Sequence, residues 1–355
     1  MYLIKKSDVY KIAEELSKTH QVFGPVVEKE SGQTFLVKTD DPKEIDLTAP
    51  IPVQPPKSVV FPQIEKIFSY RYDKNTKIVD MQQEFKVEPK AIFGLRSCDL
   101  EGMICLDRFM LGQEFVDDVY LAHRKQMFIV TNTCIEPFEQ CFCVCTDSGP
   151  CAKENFDINL TELGDHYLVE AGSGKGEELV QALGLEKADT SFTEKKSAAI
   201  DKSISKFETI ATDNKAWISR VMNRMTTGFT SSDVWEYIGN QCFECGACTF
   251  VCPSCSCFNI EDVNRTSGES VRIREWDSCS FEGYTLMAGD HNPRKPVEDR
   301  RNKRFFCKLS YSQSKKYLRP GCVGCGRCAW VCPGDIGLPN VVTYIRRETT
   351  EKVEQ

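Results

Sequence analysis

The 355-residue sequence predicts an α+β chain: an N-terminal α/β domain with a mainly parallel sheet, followed by a helical domain organised around cysteines. Three observations carry the prediction. Two apolar runs, residues 91–95 and 127–131, are each followed by a polar loop and a cysteine, and the first also by a helix start. Apolar strand, loop, helix, strand is the pattern of a βαβ unit. The stretch "CFECGACTFVCPSCSC", residues 242–257, holds four cysteines spaced C-x2-C-x2-C-x3-C-P, and "CVGCGRCAWVCP", residues 322–333, repeats that spacing.

Taken in order, residues 7–19 read as an amphipathic helix, with Ser7 as cap and Val9, Ile12, Ala13 and Leu16 on one face. "FGPVV" turns into a strand. Residues 50–62 hold five prolines and read as an extended surface segment. Cys98 and Cys134 each fall just past an expected strand, and Asp99 is placed to cap the helix after the first. In open parallel sheets, ligands bind beyond the carboxyl ends of the strands, so these two cysteines should converge. "HYLVEA" reads as a strand and "GEELVQAL" as a helix. The "GSGKG" between them lacks the first glycine of a phosphate loop and has no Ser or Thr after Lys175, so it reads as a glycine-rich turn. The expected division is an α/β domain at 1–190, a helical linker at 191–235, a cysteine-rich domain at 236–340 and a polar tail at 341–355.

Composition narrows the class. A net charge of −7 argues against wholesale nucleic-acid binding. Nineteen cysteines are too many for an ordinary chain, yet the number is odd and they cluster at ligand spacing, which disfavours a secreted disulfide scaffold. The N-terminus has no apolar core of a signal peptide, and no apolar run approaches the ~20 residues of a membrane span. A cytoplasmic protein with no membrane span is expected.

Thiolates suit soft metal centres, and a cuboidal iron–sulfur cluster takes four of them. In the bacterial ferredoxin spacing the fourth cysteine, before proline, ligates the other cluster. The expected helical domain is therefore a bacterial-ferredoxin-like dicluster domain. Cys242, Cys245, Cys248 and Cys332 are expected on one [4Fe–4S] centre, and Cys322, Cys325, Cys328 and Cys252 on the second. Paired zinc sites are the competing reading, but zinc takes its ligands as two pairs, whereas each run here supplies three at x2 and a fourth at x3. In the N-terminal half Cys98, Cys134, Cys141 and Cys143 form a candidate third quartet. Cys105 and Cys307 read as small apolar residues. Cys255, Cys257 and Cys279 remain open between neighbours of a cluster and alternative ligands, and Cys145 and Cys151 have no clear spacing.

Between Arg294 and Arg319 the chain carries ten Lys or Arg and two acids. The default reading is a solvated basic face; the alternatives are stabilisation of reduced clusters and docking of an acidic partner. No G-x-G-x-x-G and no Ser-His-Asp set is present, and four histidines leave little for a histidine-rich metal site.

"FGLRSCDLEGM", "CIEPFEQCFC", "CGACTFVCPSCSC", "WDSCSF", "MAGDHN" and "CVGCGRCAWVCP" occur in this order. The set resembles the iron–sulfur beta subunits of cytoplasmic NiFe sulfhydrogenases. It is also similar to an iron–sulfur subunit of anaerobic sulfite reductases and to one found beside heterodisulfide reductases. The resemblance spans about residues 90–340. It implies a non-catalytic subunit that relays single electrons between a flavin-containing NAD(P)H oxidoreductase subunit and a catalytic redox subunit, the hydrogenase type being favoured. The family pattern R-x-C-D and C-x6-C-x-C falls on Arg96 to Asp99 and on Cys134, Cys141 and Cys143, and so implies the third cluster there. Asp290 stands where these relatives carry glycine. A zinc-stabilised interaction module is the alternative from another class, and a stand-alone iron–sulfur enzyme a third.

Overall fold

The computed structural model describes residues 1–73, 75–82, 86–207, 215–264 and 268–353. Its larger sheet runs through β1 (Tyr2–Lys5), β2 (Gln21–Val27), β3 (Thr34–Lys38), β6 (Lys90–Leu95), β7 (Met127–Asn132), β8 (Ile158–Leu163), β9 (His166–Ala171) and β10 (Glu186–Lys187). The spatial order is β10-β1-β9-β8-β7-β6-β2-β3. The middle strands β8, β7, β6 and β2 pair in parallel, and the flanking pairings are antiparallel. Every residue of β7 and all but the first of β6 are buried. Strands covered on both faces read as unbroken apolar runs, which is why these two were visible in the sequence. One face packs on the helices Tyr10–Ser17 and Gly174–Ala182 through Ile12, Leu16, Phe93, Val130, Leu160 and Val180. The other packs on Ser97–Met110 through Ile92, Ile129, Met103 and Leu106.

The smaller sheet is made from two distant segments. β4 (Ile64–Tyr72) and β5 (Val79–Gln82) come from the N-terminal half, and β11 (Phe258–Asn264) and β12 (Glu269–Trp276) from between the two cysteine runs. Their order is β11-β12-β4-β5, antiparallel throughout. β4 is thus hydrogen-bonded to β12 of the cysteine-rich part of the chain, an interleaving that a division at residue 190 does not contain.

Four local expectations are corrected. Residues 50–62 are not a surface segment: Lys57–Val60 is a short helix, and Ile51, Val59, Val60 and Phe61 are buried. Val59, Val60 and Phe61 share a core with Trp276, whose indole N–H donates to the Phe61 carbonyl at 3.0 Å, while Ile51 packs with Cys98, Cys141 and Cys143. Residues 341–353, expected as polar tail, continue the helix Leu338–Val353, because Val341, Val342 and Ile345 share a face that packs beside Ile218 and Val221 of Lys215–Thr227. Ser7 lies in a 3-10 turn ahead of the first helix and makes no cap. Asp99 is inside its helix, with Arg96 at the cap position, and its carboxylate is turned to Arg327. Asp290 adopts a φ of +59°, a conformation glycine enters without steric cost.

Candidate metal centres

The two cysteine runs fold into matching loops. In each, a glycine at positive φ, Gly246 at +75° and Gly326 at +77°, starts a single helical turn, Ala247–Phe250 or Arg327–Trp330. The following amides bond back in the same order: Thr249 to Gly246 at 2.9 Å and Ala329 to Gly326 at 3.0 Å, then Val251 to Ala247 at 3.0 Å and Val331 to Arg327 at 3.1 Å. Upstream, the Glu244 amide donates to Cys242 Sγ at 3.4 Å and the Gly324 amide to Cys322 Sγ at 3.3 Å. Backbone donors to cysteine sulfur favour its charged, ligand-competent form. Each glycine also admits a close neighbour: a Cβ on Gly246 would stand 2.6 Å from the Phe281 ring, and one on Gly326 2.6 Å from the Gln140 backbone.

The structure brings the crossed sets together. Cys242, Cys245 and Cys248 line one cavity with Cys332 of the other run. Cys252, the fourth cysteine of the first run, is a charge neighbour of Cys322, Cys325 and Cys328. Cys328 is in turn a neighbour of Cys248, so the two sets adjoin. Among the described residues no group of three or more His, Cys, Asp or Glu is arranged to hold a single metal ion.

The N-terminal quartet also converges. Cys98 begins the helix after β6, and Cys134 follows β7. Because β6 and β7 are parallel neighbours, both cysteines leave the same sheet edge. Cys143 has Cys141 and Cys134 as charge neighbours, and Cys98 has Cys143 and Cys141. Cys325 of the second run joins the group: it packs with Cys98, Cys141 and Cys143, and the Cys141 thiol points to its carbonyl at 3.6 Å. Burial, reinforced by these neighbouring thiols, pushes Cys98 and Cys143 well up and Cys141 up to about 12. Such thiols give up their protons only to a strongly bound metal centre. Cys145 faces a different core, beside Ile218 and Phe305. Cys151 accepts from Thr133 Oγ1 at 3.4 Å and stands outside these sets. Cys105 is buried within its helix, as a small apolar residue would be.

The basic stretch is a solvated face only in part: Lys295, Lys315 and Lys316 are exposed, but its central residues are not. Arg300, Arg301, Arg304 and Lys308, on the helix Val297–Leu309, are buried. Arg304 donates to the Cys248 carbonyl at 2.8 Å and to Cys255 Sγ at 3.7 Å. Lys308 donates to Ser254 Oγ at 2.8 Å and to the Gly321 carbonyl at 3.2 Å. Burial alone would lower the pKa of both, but the surrounding cysteines, with Cys248 foremost for Arg304 and Cys252 for Lys308, raise it. The same cations act on the sulfurs. Burial would raise Cys248, yet Arg304 and Arg301 hold it below its usual value. A hydrogen bond from Cys255 first, then Lys308, Arg304 and Lys57, hold Cys252 well below. Lys57 was not expected here. Its ammonium is fully buried, donates to the Thr249 and Cys255 carbonyls at 3.1 and 3.0 Å, and lies 4.1 Å from the Trp276 ring centre. Burial lowers its pKa to about 8. A lysine among prolines gave no sequence signal, since its partners lie almost 200 residues away.

Residues 241–336 match the family model described as a 4Fe-4S dicluster domain. Over 340 residues the chain is 32% identical to sulfhydrogenase 2 subunit beta of Pyrococcus furiosus, covering 93% of this chain and 94% of that protein. The chain belongs to the sulfhydrogenase beta-subunit family. No solved structure matches it. Membership makes it an iron–sulfur, electron-carrying oxidoreductase subunit, and the dicluster domain gives its cofactor type as [4Fe–4S]. The residues present suit that cofactor: thiols from two segments around one cavity, buried Arg and Lys beside the sulfurs, and left-handed glycines where the backbone passes close. Among the described residues no helix of this beta-subunit relative is long and apolar enough to cross a membrane.

Proposed function

We propose that this chain relays single electrons between an NAD(P)H-linked flavoprotein subunit and a catalytic redox subunit of hydrogenase or sulfur-reducing type in the cytoplasm. The carrying observation is the cavity that Cys242, Cys245 and Cys248 share with Cys332. In this reading those four hold one [4Fe–4S] centre, Cys322, Cys325, Cys328 and Cys252 hold the second, and Cys98, Cys134, Cys141 and Cys143 a third. Bound clusters supply one-electron chemistry at potentials set by charge, hydrogen bonds and solvent. The protein supplies the rest. Arg301 and Arg304 beside Cys248, and Lys308 and Lys57 beside Cys252, offset the negative charge that reduction adds. Cys325 links the second and third sets, and Cys248 and Cys328 link the first and second, so the three form a row. Cys245 and Phe243 are exposed at the first set, which makes that end the one a partner approaches.

The full chain, purified anaerobically, should be brown, hold about eight irons with two cubanes or about twelve with three, and bleach with dithionite. Cys332→Ser and Cys242→Ser should each remove the same centre. Colourless protein with tightly held zinc and no acid-labile sulfide overturns the proposal.

A further inference from the structure

Beyond the three quartets, four more cysteines face one cavity. Cys255, Cys257, Cys279 and Cys307 line a space of about 300 Å³ beside the second set. The chain brings them there by three routes. Cys257 ends the first run where β11 begins, and Cys279 follows β12. The β11–β12 register pairs Phe258 with Trp276, and the Asp277 amide donates to the Cys257 carbonyl at 3.0 Å, so the open end of the hairpin holds these two together. Cys255 is tied back to the first run, its amide to the Cys252 carbonyl at 3.3 Å. Cys307 comes from Val297–Leu309, three residues after Arg304, on the same face of that helix.

The wall has a single sign of charge. Five Lys or Arg side chains line the cavity, and no Asp or Glu is among the described residues that do. Arg304 and Lys308 are buried, at a cost that only nearby negative charge or fixed acceptors offset. An all-thiol donor set selects a soft metal centre. Among the described residues no three of these thiols are grouped as ligands of a single ion, and the cavity volume is that of a small ligand pocket. A multi-iron, anionic inorganic core meets all of these conditions.

We propose that Cys255, Cys257, Cys279 and Cys307 hold a further iron–sulfur cluster, with Arg304 and Lys308 as its charge partners. The proposal rests on the relay reading only for the kind of metal chemistry the chain supports. The site adjoins the second set through Cys255 and Cys252, and Arg304 spans from it to Cys248. The row thus acquires a side branch, ending at a cavity open to solvent.

The test uses the full chain, anaerobically loaded with ferrous iron and sulfide, alkylated with iodoacetamide and read cysteine by cysteine by mass spectrometry. Cys257 and Cys279 should be protected in the loaded chain and modified after iron removal. Cys279→Ser should expose Cys257 and lose iron and acid-labile sulfide in equal amounts, while Cys242 and Cys245 stay protected. Cys307→Ala, at the half-exposed wall, should do the same if Cys279→Ser fails to fold. Modification of Cys257 and Cys279 in a loaded chain that still protects Cys242 and Cys245, or protection unchanged by iron removal, overturns the proposal. Zinc without sulfide at this site also overturns it. Modification of Cys242 and Cys245 in the loaded chain overturns the relay reading instead.

Discussion

Arg327 lies inside the second cysteine run, and its removal should loosen that run from the sheet domain. Its side chain is 0% exposed and that of Asp99 3%. The guanidinium donates to both Asp99 oxygens, at 2.5 and 2.8 Å, and to the Pro52 carbonyl at 2.7 Å. Breaking a buried pair leaves a charge without a partner and costs about 3–5 kcal/mol, and the lost bond to Pro52 about 1 kcal/mol more. Arg327→Gln should therefore destabilise the chain by about 4–6 kcal/mol, and Asp99→Asn by about 3–5 kcal/mol, since Arg327 keeps its charge. The double variant should lose far less than the sum, because neither charge is left stranded. The assay is anaerobic urea denaturation of the cluster-loaded chain, followed by far-ultraviolet circular dichroism and visible absorbance. Pro52 and Asp99 border the third quartet, so its absorbance should bleach earliest. Additive single effects, or a loss below about 1 kcal/mol in Arg327→Gln, would refute the reasoning.

Gly324→Ala places a Cβ 2.6 Å from the Cys143 backbone at a φ of +64°; it should cost more than about 1 kcal/mol and release iron from the third quartet before the first, as electron paramagnetic resonance during chelation would record. Cys98→Ser and Cys143→Ser should each lower bound iron by about four per chain, and unchanged iron in both rules out the N-terminal centre. In the iron-free chain a hydrogen bond from Cys279, then one from Tyr284, depress Cys257 to about 6. The thiolate is therefore populated above that pH, so its alkylation rate should rise through pH 6 and level off. In Cys279→Ala the midpoint should move up toward about 8.5; an unmoved midpoint contradicts the hydrogen bond.

What the sequence disclosed was local and periodic. The repeated cysteine spacing and the two apolar runs before Cys98 and Cys134 each act within a dozen residues, and the fold brings those cysteines near one another. What it hid was decided by partners far along the chain. Arg304 and Lys308 look like surface residues until Cys248, Ser254 and Gly321 are seen to surround them. Asp99 has the sequence of a cap, but Arg327, 228 positions away, outcompetes the helix end for its carboxylate. Prolines 50–62 signalled an extended path correctly in part, yet not that Val59, Val60 and Phe61 would be covered by Phe258 of β11 and Trp276 of β12. Cys257 and Cys279 are 22 apart, and only the strand register reveals that they meet.

The four-stranded sheet sets an order of assembly. Its first half, residues 64–82, leaves the ribosome long before residues 258–276 exist to pair with it. Until then β4 lacks the neighbour that completes its hydrogen bonding, and Phe61 waits for Trp276. The ferredoxin-like portion is consequently no portable cassette: a gene fragment cut at residue 236 would deprive β12 of the strand on which it is laid. Recombination that moved this half to another host protein would have to carry the early hairpin with it.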